Sequence, residues 1–391
     1  MYIGSRGRSS IVAPATALIA SVIVLLSASA APAQPASIEE LVSAVVRINT
    51  HITPDGRTVQ GLGREREGSG ILIDADGLVL TIGYLMVEAY AAEVVDNNGH
   101  TVPANVVGYD HETGFGLLRT IEPLKLKPMP LGKSAEIGKG DPVLIASFGG
   151  PAMVGGAYVV AKREFAGSWE YLLDEALFTA PPHPAWSGAA LINRDGKLVG
   201  VGSLIVGDAA RGSEKVPGNM FVPIDRLASI LGDLITAGRT AGAGRPWLGL
   251  NTEELRGRLF VSRVTPSGPA ERAGIKSGDV IVGVSGEQPK SLADFYRKVW
   301  AQGTAGATVA LDVLQDSQVR RFEVKSINPP RPSEAEIDVL TGCWPKDLKA
   351  DMSRPTSKSV QRRFFAALAR AIHIAWPILS IILVTQVALG C

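Results

Sequence analysis

The feature that most constrains this chain is a repeated device: a short apolar run, a turn pair ending in glycine, and a second apolar run. Gly70-Ile71-Leu72-Ile73 stops before Asp76-Gly77, and Leu78-Val79-Leu80 resumes the strand. The same pattern recurs from Leu191 to Gly200 around Asp195-Gly196, and more weakly at Asn98-Gly99. Apolar runs of this length bounded by turn residues read as strands joined by hairpins. With 43 Gly and 25 Pro in 391 residues, turns are frequent enough for many short strands. The spacing predicts a mainly β chain built as a barrel or sandwich from Val45 onward, after a short amphipathic helix between Pro35 and Arg47.

Punctuation divides the chain. Arg6 and Arg8 precede an apolar run from Ile11 to Leu26, and Ala28-Ser29-Ala30 and Ala31-Pro32-Ala33 offer small-x-small cleavage sites. Residues 1–33 therefore read as a signal peptide, and a retained anchor helix would export the body equally. A first unit spans 38–235. Thr236 to Gly244 is small and reads as a linker (236–244), and a second compact unit covers 245–328. A polar stretch follows over 329–370. Residues 371–391 contain no Asp, Glu, Lys or Arg, and a membrane span needs about 20 apolar residues. That hydrophobic tail reads either as a transmembrane tether or as a helix packed on the body.

Bulk properties exclude several classes. A net charge of +1 gives no basic footprint for nucleic acid. The two cysteines, Cys343 and Cys391, both lie after the second unit, so the body has no disulfide framework. No metal-ligand cluster is visible and no cofactor is expected.

Four motifs in order resemble the HtrA (DegP-like) serine proteases. In that family a Gly-Ser-Gly strand leads into Leu-Thr-Asn-x-His, which carries the catalytic base. Here Gly68-Ser69-Gly70 precedes Leu80-Thr81-Ile82-Gly83-Tyr84, which puts Tyr84 at the base position. The family's Val-Gly-x-Asp and Asp-Leu-Ala-Leu-Leu correspond to Val107-Gly108-Tyr109-Asp110 and Gly114-Phe115-Gly116-Leu117-Leu118, so the orienting aspartate is replaced by Gly114. The nucleophile motif reads His183-Pro184-Ala185-Trp186-Ser187-Gly188-Ala189-Ala190-Leu191, and it retains Ser187. Phe221-Val222-Pro223-Ile224-Asp225 is similar to the family's end-of-domain segment. The resemblance runs from about 38 to 328. It implies a chymotrypsin/trypsin-like double β-barrel followed by a small α+β PDZ domain.

The changed positions carry chemical consequences. A serine hydroxyl needs a neighbouring base, and histidine suits that task because its pKa lies near working pH. A phenol with a pKa of about 10 holds its own proton at pH 7. Gly114 has no side chain to orient a base. The resemblance puts the backbone N–H of Ala185 in the oxyanion hole, where the family has a glycine; alanine resists positive φ. His183 and His111 are the remaining candidates for a base. His183 lies on the Ser187 loop and His111 beside Asp110, where it reads as a surface turn cap. His51 and His100 read as solvated. In the second unit Trp247-Leu248-Gly249-Leu250 resembles a PDZ carboxylate-binding loop, with backbone N–H groups for a peptide's C-terminus. Ser267-Gly268-Pro269-Ala270 starts a short helix ended by Gly274, Val280 to Val284 reads as a strand, and Ser291 caps a helix reaching about Gln302.

Two functions are expected from this reading. One is an exported, periplasmic HtrA-like homologue, catalytically impaired, that binds unfolded proteins or peptide C-termini in envelope protein quality control. The alternative is an active serine-type endopeptidase using Ser187 with a non-family base. The resemblance also implies a homo-oligomer, a trimer, and the tail implies membrane association through 371–391.

Overall fold

The computed structural model describes residues 1–2, 4, 37–56, 58–210, 215–242 and 244–329. The chain divides into two units, Met1–Pro330 and Arg331–Cys391, and everything described here belongs to the first. The expected signal peptide, apart from its first residues, and the hydrophobic tail lie outside the described residues. Among the described residues no helix is long and apolar enough to cross a membrane.

Six strands close the first barrel: β1 (Val45–Ile52), β2 (Glu65–Leu72), β3 (Leu78–Ile82), β4 (Ala89–Val95), β5 (Thr101–Tyr109) and β6 (Phe115–Thr120), in the order β1-β2-β3-β6-β5-β4. A second barrel contains β7 (Pro142–Ala146), β8 (Val154–Gly167), β9 (Tyr171–Ala180), β10 (Ala190–Ile192), β11 (Leu198–Ala210) and β12 (Val216–Pro223), in the order β10-β11-β12-β9-β8-β7. A five-stranded antiparallel sheet follows, built from β13 (Leu250–Leu255), β14 (Arg258–Val264), β15 (Val280–Val284), β16 (Thr308–Gln315) and β17 (Gln318–Lys325) in sequential order. The fold is the double β-barrel with a small α+β domain that the motifs imply.

Helices are few. α1 (Ile38–Ser43) opens where Ser37 accepts a hydrogen bond from the Glu40 N–H, a side-chain cap. α2 (Val59–Leu62), α3 (Asp225–Ala228) and α4 (Leu231–Ala237) are short connectors in the barrels. α5 (Pro269–Ala273) starts on proline and stops at Gly274, which is left-handed. α6 (Leu292–Trp300) is capped by Ser291, whose side chain accepts from the Asp294 N–H.

The hairpins are longer than the two-residue turns that the glycine pairs suggest, and they share one device. Asp74 Oδ1 accepts from the N–H groups of Asp76 and Leu78 at 3.0 and 2.7 Å. Asp96 Oδ1 accepts from Asn98 and His100 at 2.8 and 2.9 Å. Asn193 Oδ1 accepts from Asp195 and Lys197 at 3.0 and 2.9 Å. In each, the glycine three residues after the anchor (Gly77, Gly99, Gly196) has positive φ. The Asx side chain supplies the acceptor that a tighter turn would have drawn from the backbone.

The residues expected as a free linker are tied down. Ala241 N–H donates to Asp233 at 2.8 Å, and the Thr240 hydroxyl donates to Asp110 at 3.3 Å. One apolar cluster fills the first barrel and extends into the second, where Leu177, Leu191 and Phe221 form a smaller one. The PDZ-like sheet has its own cluster, which includes Leu172 of β9.

Candidate functional site

Two places emerge: the cleft that holds Ser187, and the loop at the start of β13. Both contain a glycine with positive φ, Gly188 and Gly249.

At the cleft, the first barrel supplies the floor. Ser69 N–H donates to the Ser187 carbonyl at 2.8 Å, and the Thr81 hydroxyl donates to the Ser69 carbonyl at 2.7 Å. Gly188 has φ +71°, and a Cβ there would sit 1.9 Å from the Ser69 carbonyl. The Ser187-Gly188 turn is therefore pressed onto the Gly68-Ser69-Gly70 strand. After β3 the chain makes a single 3₁₀ turn over Gly83–Leu85 that presents Tyr84. Arg66 donates to the carbonyl of Tyr84 at 2.6 Å and to that of Val87 at 3.1 Å, which fixes this turn.

The side chains then meet. Tyr84 Oη lies 2.8 Å from Ser187 Oγ and 2.9 Å from the Ser203 carbonyl. A carbonyl can only accept, so the single phenol proton satisfies Ser203 and the Ser187 hydroxyl is left to donate to the phenol oxygen. The Trp186 side chain also hydrogen-bonds Tyr84. Burial pushes the Tyr84 phenol up to about 12, and the bonds from Ser187 and Trp186 pull it down less than burial raises it.

Gly114 has φ +82°, and the Tyr171 hydroxyl lies 3.2 Å from where its Cβ would be. Tyr171 donates to the Thr113 carbonyl at 2.6 Å. The nearby carboxylate, Asp110, accepts from Thr113 N–H at 2.8 Å and from Thr240. Ala185 is not among the residues with positive φ. Its N–H points to His183 Nδ1 at 3.3 Å, and its carbonyl accepts from the Ser147 hydroxyl.

The two candidate histidines are engaged elsewhere. His183 accepts from Ala185 and also bonds the Met153 backbone, and burial holds its pKa below the usual histidine value. Its backbone N–H donates to Asn219 at 2.6 Å. His111 is not the surface cap expected of it. Its Nδ1 faces the Tyr109 hydroxyl at 3.2 Å, its Nε2 is buried without a partner, and burial pushes it down to about 4. His51 is half-buried and His100 is exposed.

At the second place the loop residues divide. Trp247 is buried, and its N–H donates to the Ile327 carbonyl at 3.0 Å, so it anchors the loop. Leu248, Gly249 and Leu250 turn their N–H groups to one carboxylate, that of Glu170. The distances are 2.8 Å to Oε2 from Leu248, and 2.6 and 2.9 Å to Oε1 from Gly249 and Leu250. Glu170 stands at the tip of the β8–β9 hairpin with φ +60° and is only 4% exposed. Burial pushes its carboxyl up to about 7, against the three N–H donors, which pull it down. The Tyr296 hydroxyl of α6 donates to the Gly167 carbonyl at 2.6 Å and receives the Glu170 N–H at 3.2 Å. Thr252 N–H of β13 donates to the Ser168 carbonyl at 2.7 Å. Sequence reading missed Glu170, Ser168 and Tyr296, because a Ser-Trp-Glu hairpin tip carries no local sign of a partner 78 residues away. Among the described residues no group of three or more His, Cys, Asp or Glu could hold a metal ion.

Comparisons with known proteins agree with this architecture. A family model described as a trypsin-like peptidase domain matches residues 68–201, and a PDZ domain model matches 246–326. Serine protease PepD of Mycobacterium tuberculosis is 30% identical over 316 residues, covering 73% of this chain and 66% of the relative. The periplasmic pH-dependent serine endoprotease DegQ of Escherichia coli is 26% identical over 291 residues, covering 70% of this chain and 62% of the relative. The chain thus spans a little under two thirds of the length of these relatives. Among solved structures, the HtrA-type protease AlgW with tripeptide shows 22% identity and a TM-score of 0.43, covering 75% of this chain and 98% of that one. This chain carries a trypsin-like peptidase domain followed by a PDZ domain and is a homologue of the HtrA/DegP-like serine proteases.

Proposed function

We propose that the protein is a catalytically impaired HtrA-like homologue, exported to the periplasm, that binds unfolded proteins or peptide C-termini in envelope protein quality control. The observation that carries this reading is the 2.8 Å contact between Tyr84 Oη and Ser187 Oγ, with the phenol held protonated up to about 12. Acyl transfer by serine needs a group that takes the hydroxyl proton as attack begins. A phenol that already holds its proton cannot take another. Gly114 supplies no carboxylate to orient a base, and the Ala185 N–H is turned to His183 rather than left for an oxyanion. Losing such parts costs about four to six orders of magnitude in other serine proteases.

The name of one relative (DegQ) includes "periplasmic", and one similar structure (AlgW) holds a tripeptide. These support export and peptide binding for this chain. A homo-oligomer, a trimer by family resemblance, and membrane association through 371–391 belong to the same proposal. The experiment is hydrolysis of casein by the full chain beside Ser187→Ala. Equal and near-zero rates, with suppression of client aggregation retained, are expected. Hydrolysis that disappears in Ser187→Ala overturns the reading in favour of an active endopeptidase.

A further inference from the structure

β13 is one of the two edge strands of the PDZ sheet, and the helix α6 packs beside it; in a PDZ domain an extended peptide adds at such an edge as a strand, with its terminal carboxylate in the loop. In this chain the groove is not empty. Glu170 places a carboxylate on Leu248, Gly249 and Leu250 N–H, and Ser168, two residues earlier, places a carbonyl on Thr252 N–H, two residues later than Leu250. The Thr252–Ser168 bond is a main-chain contact on the edge strand, and the Glu170 side chain carries the hairpin's contacts on from there into the loop, so the two segments run in opposite directions. Leu172 belongs to the same apolar cluster as Leu248, Leu250, Phe295 and Val299. Tyr296 closes the helix side by holding Gly167 and Glu170. A carboxylate in the loop, a main-chain contact to the edge strand and an apolar contact are all supplied by one hairpin of the barrel.

We propose that the β8–β9 hairpin tip, Gly167–Glu170, is a built-in ligand of the PDZ groove, and that the groove opens to partner chains presenting an extended segment with a free C-terminal carboxylate, which displaces Glu170. The proposal rests on the reading of 246–326 as a peptide-binding module. The loop is a carboxylate site either way, and the side-chain carboxylate of Glu170 is the intramolecular competitor of a main-chain one. Competition of this kind lowers the apparent affinity for an outside peptide by the fraction of time the groove stands open.

The test uses the full chain and a fluorescein-labelled octapeptide of alanine and valine ending in leucine, with a free carboxylate or as the C-terminal amide, followed by anisotropy. Glu170→Ala is expected to bind the free-carboxylate peptide about tenfold or more tighter than the parent. Glu170→Gln keeps the shape without the charge and is expected to fall between them, which guards against a fold defect in the alanine variant. The amide is expected to bind none of the three. Equal affinity of all three proteins for the free-carboxylate peptide overturns self-occupancy while leaving the module a peptide binder. Absence of binding by all three, with unchanged thermal melts, overturns both the self-occupancy and the peptide-binding reading beneath it.

Discussion

The Ser187 cleft and the PDZ loop are both filled by the chain's own side chains, and the way each is filled differs. At the cleft the occupant is Tyr84, fixed on a 3₁₀ turn by Arg66 and delivering a phenol that stays protonated. At the loop the occupant is Glu170, delivered by a hairpin tip whose hold depends on a handful of hydrogen bonds. On the proposed reading the first is a chemical substitution that leaves Ser187 without a base. On the same reading the second is a competition, which mass action reverses. One fold would then lose its chemistry while keeping a binding site that is merely covered.

The two glycines that shape these places give the widest contrast. Gly188→Ala puts a methyl 1.9 Å from a backbone carbonyl at φ +71°, so a loss of more than about 4 kcal/mol is expected, read as loss of cooperative thermal unfolding. Gly249→Ala meets only side-chain atoms of Trp247 and Thr265 at 3.2–3.4 Å at φ +78°, and about 1–3 kcal/mol is expected by denaturant titration. Equal costs would erase the distinction between a rigid floor and an adaptable loop.

Smaller effects sharpen it. Tyr296→Phe removes the donor to Gly167 and the acceptor for Glu170 N–H, leaving buried groups unpaired, so about 2 kcal/mol is expected together with faster amide exchange at Gly167 to Glu170. Tyr84→Phe leaves the Ser203 carbonyl without its donor and is expected to cost about 1 kcal/mol in a thermal melt, with no gain of casein hydrolysis. A variant that began to cleave casein would show that the phenol only blocks a base present elsewhere.

The contact between Tyr84 and Ser187 lies between two local motifs. Tyr84, Gly114 and Ser187 each sit in a short motif, and a motif's place in a barrel follows from strand order. The turn anchors Asp74, Asp96 and Asn193 were legible only as glycine pairs, since the side-chain acceptor lies three residues upstream of the glycine. The partners that decide the chemistry were less so. That Tyr84 donates its hydrogen bond to the Ser203 carbonyl, 119 residues away, follows from the closure of two barrels and from no spacing. His111 looked like a surface residue because its neighbours are polar, but Tyr109 and the barrel end enclose it. Glu170 was illegible for the same reason in stronger form. An acid at a hairpin tip reads as solvated, and it is the packing of Leu172 into the PDZ cluster, with the Thr252 and Tyr296 hydrogen bonds, that brings it to the loop.

The central claim is that the Ser187 hydroxyl faces a phenol that keeps its own proton and not a base. Labelling of the full chain with a fluorophosphonate probe, beside Ser187→Ala and across pH 6 to 9, tests it most directly. A phenol held protonated up to about 12 predicts no labelling above the Ser187→Ala background and no rise with pH in that range. Labelling at Ser187 that rises with a midpoint near 6.5 would reveal a working imidazole base and contradict the account.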